Sequence, residues 1–499
     1  MVPASSCVAM RPSPVPILAM QARREGQIQM EMNADVVVMG AGLAGLVAAR
    51  RAAELGARVV LLEAGEGRYP ANSRYTGGVF HVAFEDVTAG PAVLRDAISR
   101  AGGDCPDPGL ADAYAANAGR AIAWLAVNGA DFGQGGDFPW MSRMLVPFSL
   151  REPGFPNHWP DKGAERLLER LGRDFTEAGG AFLRGWRGRS LLTMDGRCSG
   201  LEAVRADGDM LRIVAKSVVI ADGGFQGDSE LVREHISPRP ESLCRRGAGT
   251  GRGDGLKMAA AVGAKLVGLD RFYGHVQAAE AIRDDRLWPY PILDILGSSA
   301  IVVGPDGRRF TDEGKGGVPL ANAIAALPDP LSSFVVFDRA IWEGPGRAFL
   351  LPPNPTFEER GVAILRADTL EQLADAAGLP AENLARTVAD YNAAVATGST
   401  AQLHPPRSSR TDTLSGAAWP IKGPEFMAIR LCAGITYTMG GIAIDPSARV
   451  VSCDGGVIPG LFAAGSATGG LDGGPDSVYL GGLARAATFG LLAGEAAAS

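Results

Sequence analysis

Three glycines, Gly40, Gly42 and Gly45, stand in the spacing G-x-G-x-x-G between DVVVMG and LAGLVAARRAAELG, and an acid, Glu63, closes the run RVVLLE. DVVVMG reads as a short buried strand, the next run as a helix, and 58–63 as a second strand, so 35–63 is one βαβ unit. There the first glycine permits the tight turn, the second lets a pyrophosphate approach the backbone, and the third lets helix and strand pack closely. Phosphate would sit on the helix N-terminus, where free N–H groups and the dipole favour negative charge. Ala41, Ala44 and Ala64 complete the expected lining. An acid at position 63 suits the hydroxyls of an adenosine ribose and repels a 2′-phosphate, which disfavours NADP.

A site of that kind needs a sheet behind it. Further strand-like runs are KSVVIADGG (216–224), AIVVG (300–304), FVVFD (334–338) and GLFAAG (460–465), and helical patterns occupy 109–128, 163–178, 371–377, 381–397 and 483–498. Interleaved strands and helices predict an α/β protein, a Rossmann-type domain with a parallel sheet. At 499 residues the chain is too long for one small core. The aromatics and mixed pattern of 225–345 place an inserted α+β capping domain there. The expected division is 34–235 with 346–499 for the dinucleotide domain and 236–345 for the cap. Residues 1–33 carry scattered prolines and no signal-peptide order, because Arg23 and Arg24 follow the weak apolar stretch; they read as a disordered tail or an upstream start.

Composition narrows the function. Apolar residues at 46% and charged residues at 21% are those of a soluble globular protein, with no apolar run of about 18 residues to span a membrane. A net charge of −7 argues against nucleic acid as a partner. Six cysteines (Cys7, Cys105, Cys198, Cys244, Cys432 and Cys453) and five histidines are scattered without metal-ligand spacing, so no metal is expected. Isolated thiols fit a reducing, cytoplasmic setting.

Four further motifs follow in order: NSRYTGG (72–78), ADGGF (221–225), IPGLFAAGSATGG (458–470) and YLGGLARAATFGLLAGEAA (479–497). With the βαβ unit they resemble the flavoproteins of the succinate dehydrogenase and fumarate reductase superfamily, over roughly 34–499. NSRYTGGVF, GRRFTDEG (307–314) and GITYTMGGIAID (434–445) look most like its tricarballylate dehydrogenase branch. The resemblance implies FAD. It places the pyrophosphate on Gly40 to Gly45, the flavin ring near Asn72, Ser73, Thr76, Gly77 and Gly78, and further cofactor contacts at Ala221, Gly223, Asp254, Gly465, Ser466, Gly482 and Leu483. Segment 72–78 has no histidine, so the FAD is expected to be non-covalent.

The implied chemistry is hydride transfer between flavin N5 and a carbon α,β to a carbonyl or carboxylate, with a proton moved by the protein. Fumarate reductases clamp carboxylates with two histidines and an arginine. Here RFYGHVQA supplies His275, Thr436 replaces a clamp histidine with Tyr437 beside it, and Tyr479 stands where a clamp arginine would. Phenols suit a neutral carbonyl or a single carboxylate better than bidentate carboxylate recognition. A tyrosine before the glycine pair also resembles the ketosteroid dehydrogenases of the superfamily. The expected catalytic set is Tyr479, His275, Tyr437 and Glu313, acting on a small ketone or carboxylic acid, with a separate electron acceptor or donor. Each has a structural alternative: a bonded histidine at a domain junction, a packed strand aromatic, or, for Glu313, pairing with Arg308 or Arg309. The Trp288–Tyr290 patch is either a hydrophobic substrate mouth or core. Two other readings stay open: a polycarboxylate dehydrogenase feeding a membrane partner, and a flavin-binding partner protein without turnover.

Overall fold

A computed structural model describes residues 17–22, 28–148, 161–287, 291–347, 355–408 and 416–499. The elements that position the site are, in chain order, β1 (Ile28–Met39), α1 (Leu43–Glu54), β2 (Val59–Glu63), β3 (Met210–Ile220), β4 (Phe272–Ala278), α2 (Gly317–Ala325), β5 (Phe426–Thr438) and α3 (Gly482–Ala498).

β1 is the centre of the first sheet, parallel to β2 on one side and to β3 on the other. Val457–Ala463 extends the sheet beyond β3 and Ala181–Arg184 extends it beyond β2, both in parallel. Val36 to Val38, Val59 to Leu62 and Val218 to Ile220 are fully buried on both faces, which explains continuous apolar runs in place of alternation. A hairpin of Arg187–Met194 and Arg197–Val204 pairs antiparallel onto β3. Two helices lock this sheet's ligand end. At Gly45 a Cβ would lie 1.8 Å from the Gly40 carbonyl oxygen, so α1 can start this close to β1 only with glycine there. At Gly490 and Gly494 a Cβ would come within 2.6 Å of Ala44 O and 2.5 Å of Ala48 O, so α3 lies directly on α1.

A second sheet is built around β5, which pairs with β4, with Phe334–Asp338 and with Ile364–Ala367, all antiparallel, and with Cys244–Arg245 in parallel. Its thirteen residues are the longest strand among the described residues.

Two boundaries differ from the sequence expectation. The second sheet draws strands from Cys244 to Thr438, so the chain does not return to the dinucleotide unit at 346; Leu370–Ala377 and Ala381–Thr397 also belong to the intervening stretch. The motif around GITYT, expected within the first domain, lies at the end of a cap strand. Nor is all of 1–33 a tail: β1 begins at Ile28, and Ile17–Ala22 pairs antiparallel with it. The weak apolar stretch before Arg23 and Arg24 is this strand. Trp288–Tyr290 lies outside the described residues. Among the described residues no helix is long and apolar enough to cross a membrane.

Candidate active site

A cleft of about 630 Å³ opens over the carboxyl ends of β1, β2 and β3. Gly40, Ala41, Gly42 and Ala44 form its floor, and Glu63 and Ala64 one wall. Asn72 and Ser73, then Ala221, Gly223 and Asp254, then Gly465 and Ser466 close it. Gly42 caps α1 without a side-chain cap, and a Cβ placed on it would meet nothing nearer than Ser73 Oγ at 3.6 Å. No acid lies in the first turn of α1. Ser73 Oγ accepts the Leu43 N–H at 3.0 Å, and a helix start with no acid in its first turn, facing an open, glycine-floored cleft, fits a pyrophosphate.

Glu63 is held by the N–H groups of Ala41 (3.0 Å) and Gly65 (2.8 Å), while burial raises its carboxyl above the usual range. Asp222, the acid of the ADGGF motif and not among the expected cofactor contacts, lies between Ala221 and Gly223 on the same wall. Its Oδ2 accepts Gly255 N–H at 2.8 Å and its Oδ1 is buried without a partner. Burial, with Asp254 and Glu63 nearby, pushes its carboxyl up to about 7. Asp222 and Glu63 put two carboxyl groups on a glycine-floored cleft large enough for a dinucleotide, whose hydroxyls could donate to them. The residues present therefore fit FAD.

Some expected cofactor residues do other things. Asp254 is gripped by Arg187 through both oxygens (2.6 and 2.7 Å). Asn72 straps the two units, donating to Thr436 O (2.9 Å) and accepting from Ala248 N–H (2.8 Å). Gly45 is a packing residue. Thr76, Gly77, Gly78, Gly482 and Leu483 do not wall the 630 Å³ cleft; Thr76 Oγ1 accepts Gly78 N–H at 3.2 Å.

Beyond the cleft, β4, β5 and the start of α3 converge on a largely buried aromatic cluster. Tyr479 stacks on Tyr273 with ring centroids 4.0 Å apart and 21° between planes, and Tyr437 lies 5.3 Å from the same ring. Tyr273 Oη is 3.1 Å from His275 Nε2, and His275 Nδ1 is 2.6 Å from Asp294 Oδ2. Asp294 Oδ1 also accepts Val276 N–H at 2.8 Å. Burial holds His275 below the ordinary histidine range, with Asp294 acting against it, and pushes Tyr479 up to about 12. Both phenols next to α3 are therefore protonated donors at neutral pH. Tyr479 Oη accepts the N–H of Gly482 at 3.2 Å, which leaves its own proton to give. Tyr437 gives its proton to Asp472 Oδ2 (3.2 Å), an oxygen that also lies 2.7 Å from Arg485 Nη1 in a fully buried pair.

Tyr479, Tyr437 and His275 are thus brought together, and Tyr273 joins them. Glu313 is not among them. It is fully buried, its oxygens taken by Arg309 Nε (2.9 and 3.1 Å) and Val302 N–H (3.1 Å). Its assignment as catalytic is corrected: the arginine four residues earlier, Arg309, claims it. Sequence reasoning also missed Arg485, Asp472, Asp294 and Arg246, whose Nη1 donates to Thr436 Oγ1 at 3.0 Å. Arg485 had a signal, the single basic residue of a largely apolar helix, and Tyr273 had one too, two residues from His275 on a strand.

The cleft and the two-unit architecture define a dinucleotide-binding flavoprotein. The chain matches the FAD binding domain family over residues 35–476 and belongs to it. The fumarate reductase (cytochrome) of Shewanella frigidimarina is 27% identical over 481 residues, which span 93% of this chain and 77% of that protein. The 4-oxocyclohexanecarboxylate 2-dehydrogenase of Sinomonas cyclohexanicum is 31% identical over 327 residues, 60% of this chain and 54% of that one. In fold, the 3-ketosteroid-Δ4-(5α)-dehydrogenase of Rhodococcus jostii superposes with a TM-score of 0.69 at 23% identity, covering 98% of this chain and all of the other.

Proposed function

We propose that this FAD-dependent oxidoreductase removes two hydrogens from, or returns them to, a C–C bond adjacent to the carbonyl of a small cyclic keto acid. The observation that carries the reading is the run Tyr479–Tyr273–His275–Asp294 beside the start of α3, part-buried at the tyrosines and buried at His275 and Asp294. FAD, when bound, supplies the atom that accepts or donates the hydride. Tyr479, protonated and already aligned by the Gly482 N–H, donates to the substrate carbonyl oxygen and stabilises the charge that develops there. His275, oriented through Nδ1 by Asp294, presents Nε2 to Tyr273 and manages the proton that leaves or joins the carbon next to the carbonyl. Tyr437, tied to Asp472 and Arg485, fixes the position of the start of α3.

Tyr479 also walls a second cavity of about 250 Å³, below the about 300–1,000 Å³ typical of pockets for drug-sized ligands. That size favours a single ring over a steroid. A cyclic ketone with one carboxylate is the substrate of the Sinomonas relative. Asn72, Ser73, Glu63 and the Gly40–Gly45 turn hold the cofactor without a covalent bond, and a separate electron donor or acceptor completes the cycle. The thiols of Cys105, Cys198, Cys244, Cys432 and Cys453 are unpaired, which supports a cytoplasmic setting.

The test is anaerobic mixing of the purified holoprotein with 4-oxocyclohexanecarboxylate, succinate and tricarballylate. Flavin bleaching by the keto acid alone supports the reading. Bleaching by the polycarboxylates alone replaces it with a fumarate reductase type of activity, and no bleaching by any of them leaves a flavin-binding protein without this chemistry.

A further inference from the structure

The 250 Å³ cavity has Phe84, Asp294, Val318 and Tyr479 deep in its wall and Lys315 at its rim. A wider basin of about 680 Å³ shares Arg100, Lys315 and Asp476 with it. Lys315 Nζ and Asp476 Oδ1 are 2.7 Å apart, so this ion pair stands between the inner chamber, which holds Tyr479, and the outer basin. The pair joins the two units of the fold. Lys315 ends the turn Glu313–Lys315 of the cap, and Asp476 lies on the loop that leads to Tyr479.

From this placement we infer that Lys315 is the carboxylate-reading residue of the substrate chamber, exchanging Asp476 for the carboxylate of the keto acid. The inference rests on the reading given under Proposed function and names the residue that selects within it.

Three observations support it. First, the backbone below Lys315 is fixed. Asp312 Oδ1 accepts the N–H groups of Gly314 and Ser408, and Glu313 is locked on Arg309. An ammonium on such a base is preorganised, so binding an anion there orders few groups. Second, the partner it must give up is held weakly. Side-chain exposures of 38% for Lys315 and 47% for Asp476 make this a water-screened pair, which contributes little to stability. Replacing one carboxylate by another on the same Nζ therefore costs little. Third, the acid deeper in the chamber is already engaged. Asp294 faces Lys315 across the cavity, but its oxygens are committed to His275 Nδ1 and Val276 N–H. At the rim Arg100 adds a second cation, itself paired with Asp96. A keto acid admitted with its carboxylate on Lys315 would carry its ring inward, toward Tyr479.

The experiment measures binding apart from turnover. Perturbation of the flavin absorbance of the holoprotein is titrated with cyclohexanecarboxylate, which lacks the ketone, and with cyclohexanone, which lacks the carboxylate. Lys315→Met is expected to lower the ratio of the two affinities, carboxylate over ketone, by about tenfold or more, as loss of a charge-assisted hydrogen bond would. Asp476→Asn, which frees Lys315 without removing it, is expected to tighten cyclohexanecarboxylate binding about threefold, and it serves if Lys315→Met does not fold. An unchanged ratio in Lys315→Met, or no tightening in Asp476→Asn, overturns the assignment. The two readings fail separately. If carboxylate binding depends on Lys315 but 4-oxocyclohexanecarboxylate never bleaches the flavin, the proposed reaction is wrong and the carboxylate site stands. If the keto acid bleaches the flavin and its affinity ignores Lys315, the reverse holds.

Discussion

Replacing Tyr479 by phenylalanine removes one oxygen and leaves the ring. The stack on Tyr273, 4.0 Å between centroids, is preserved, so the aromatic packing of the cluster stays as it is. What is lost is the acceptor for the Gly482 N–H and the proton that Tyr479, pushed up to about 12 by burial, holds ready for the substrate oxygen. The first loss is worth about 1 kcal/mol of stability, a small downward shift in Tm. The second removes a donor at a developing oxyanion, about 2.7–4 kcal/mol of transition-state stabilisation, or 10²- to 10³-fold in rate. The assay is stopped-flow bleaching of the flavin by 4-oxocyclohexanecarboxylate, with FAD content measured on the same samples. A fall of 10²-fold or more at unchanged FAD content is expected. A fall below threefold would refute the polarising role, and a rate loss matched by loss of FAD would move Tyr479 from the substrate to the cofactor.

Glu313→Gln leaves Arg309 buried without its charge partner, so a destabilisation of about 3–5 kcal/mol is expected in denaturant titration, with kcat of the folded fraction retained; a normal Tm with abolished turnover would return Glu313 to the catalytic set. Asp222 gives a pH dependence to the FAD-free protein. Its carboxyl stands near 7 in the fold and near 3.8 unfolded, so the folded state holds the extra proton and stability falls as pH rises from about 4 to 7, by at most about 4 kcal/mol. Asp222→Asn should flatten that slope in thermal melts between pH 5 and pH 8, and an unchanged slope would show that Asp222 is not its source. Acid precipitation of the holoprotein is expected to release the flavin into the supernatant; colour retained in the pellet would mean a covalent link.

Much of the dinucleotide half was legible because its determinants are local. A turn that needs Gly40, a helix start that needs Gly45 and an acid at the next strand end all fall within one βαβ unit. The cap was legible only in part. β5 carries Thr436 and Tyr437 into the site from a strand whose other end pairs with Phe334–Asp338, and no local pattern says which sheet a strand will join. The substrate-side cluster depends on contacts between residues as far apart as Tyr273 and Tyr479, so its named tyrosines and His275 could be suggested by motif while Asp294 and Asp472 could not. Glu313 failed for a related reason: an acid in a loop motif looks the same whether an arginine holds it or a substrate meets it.

β5 is also the member that ties the halves of the molecule together. Its end is gripped by Asn72 at Thr436 O and by Phe225 N–H at Thr438 Oγ1, and Tyr437 reaches across to Asp472 and Arg485. If the halves parted, that strand end could not stay with both, and the Asp472–Arg485 pair would meet water on the side Tyr437 now covers. The seat of the cap and the dryness of that ion pair are therefore one packing event: Asp472 and Arg485 stay out of water only while Tyr437 lies over them.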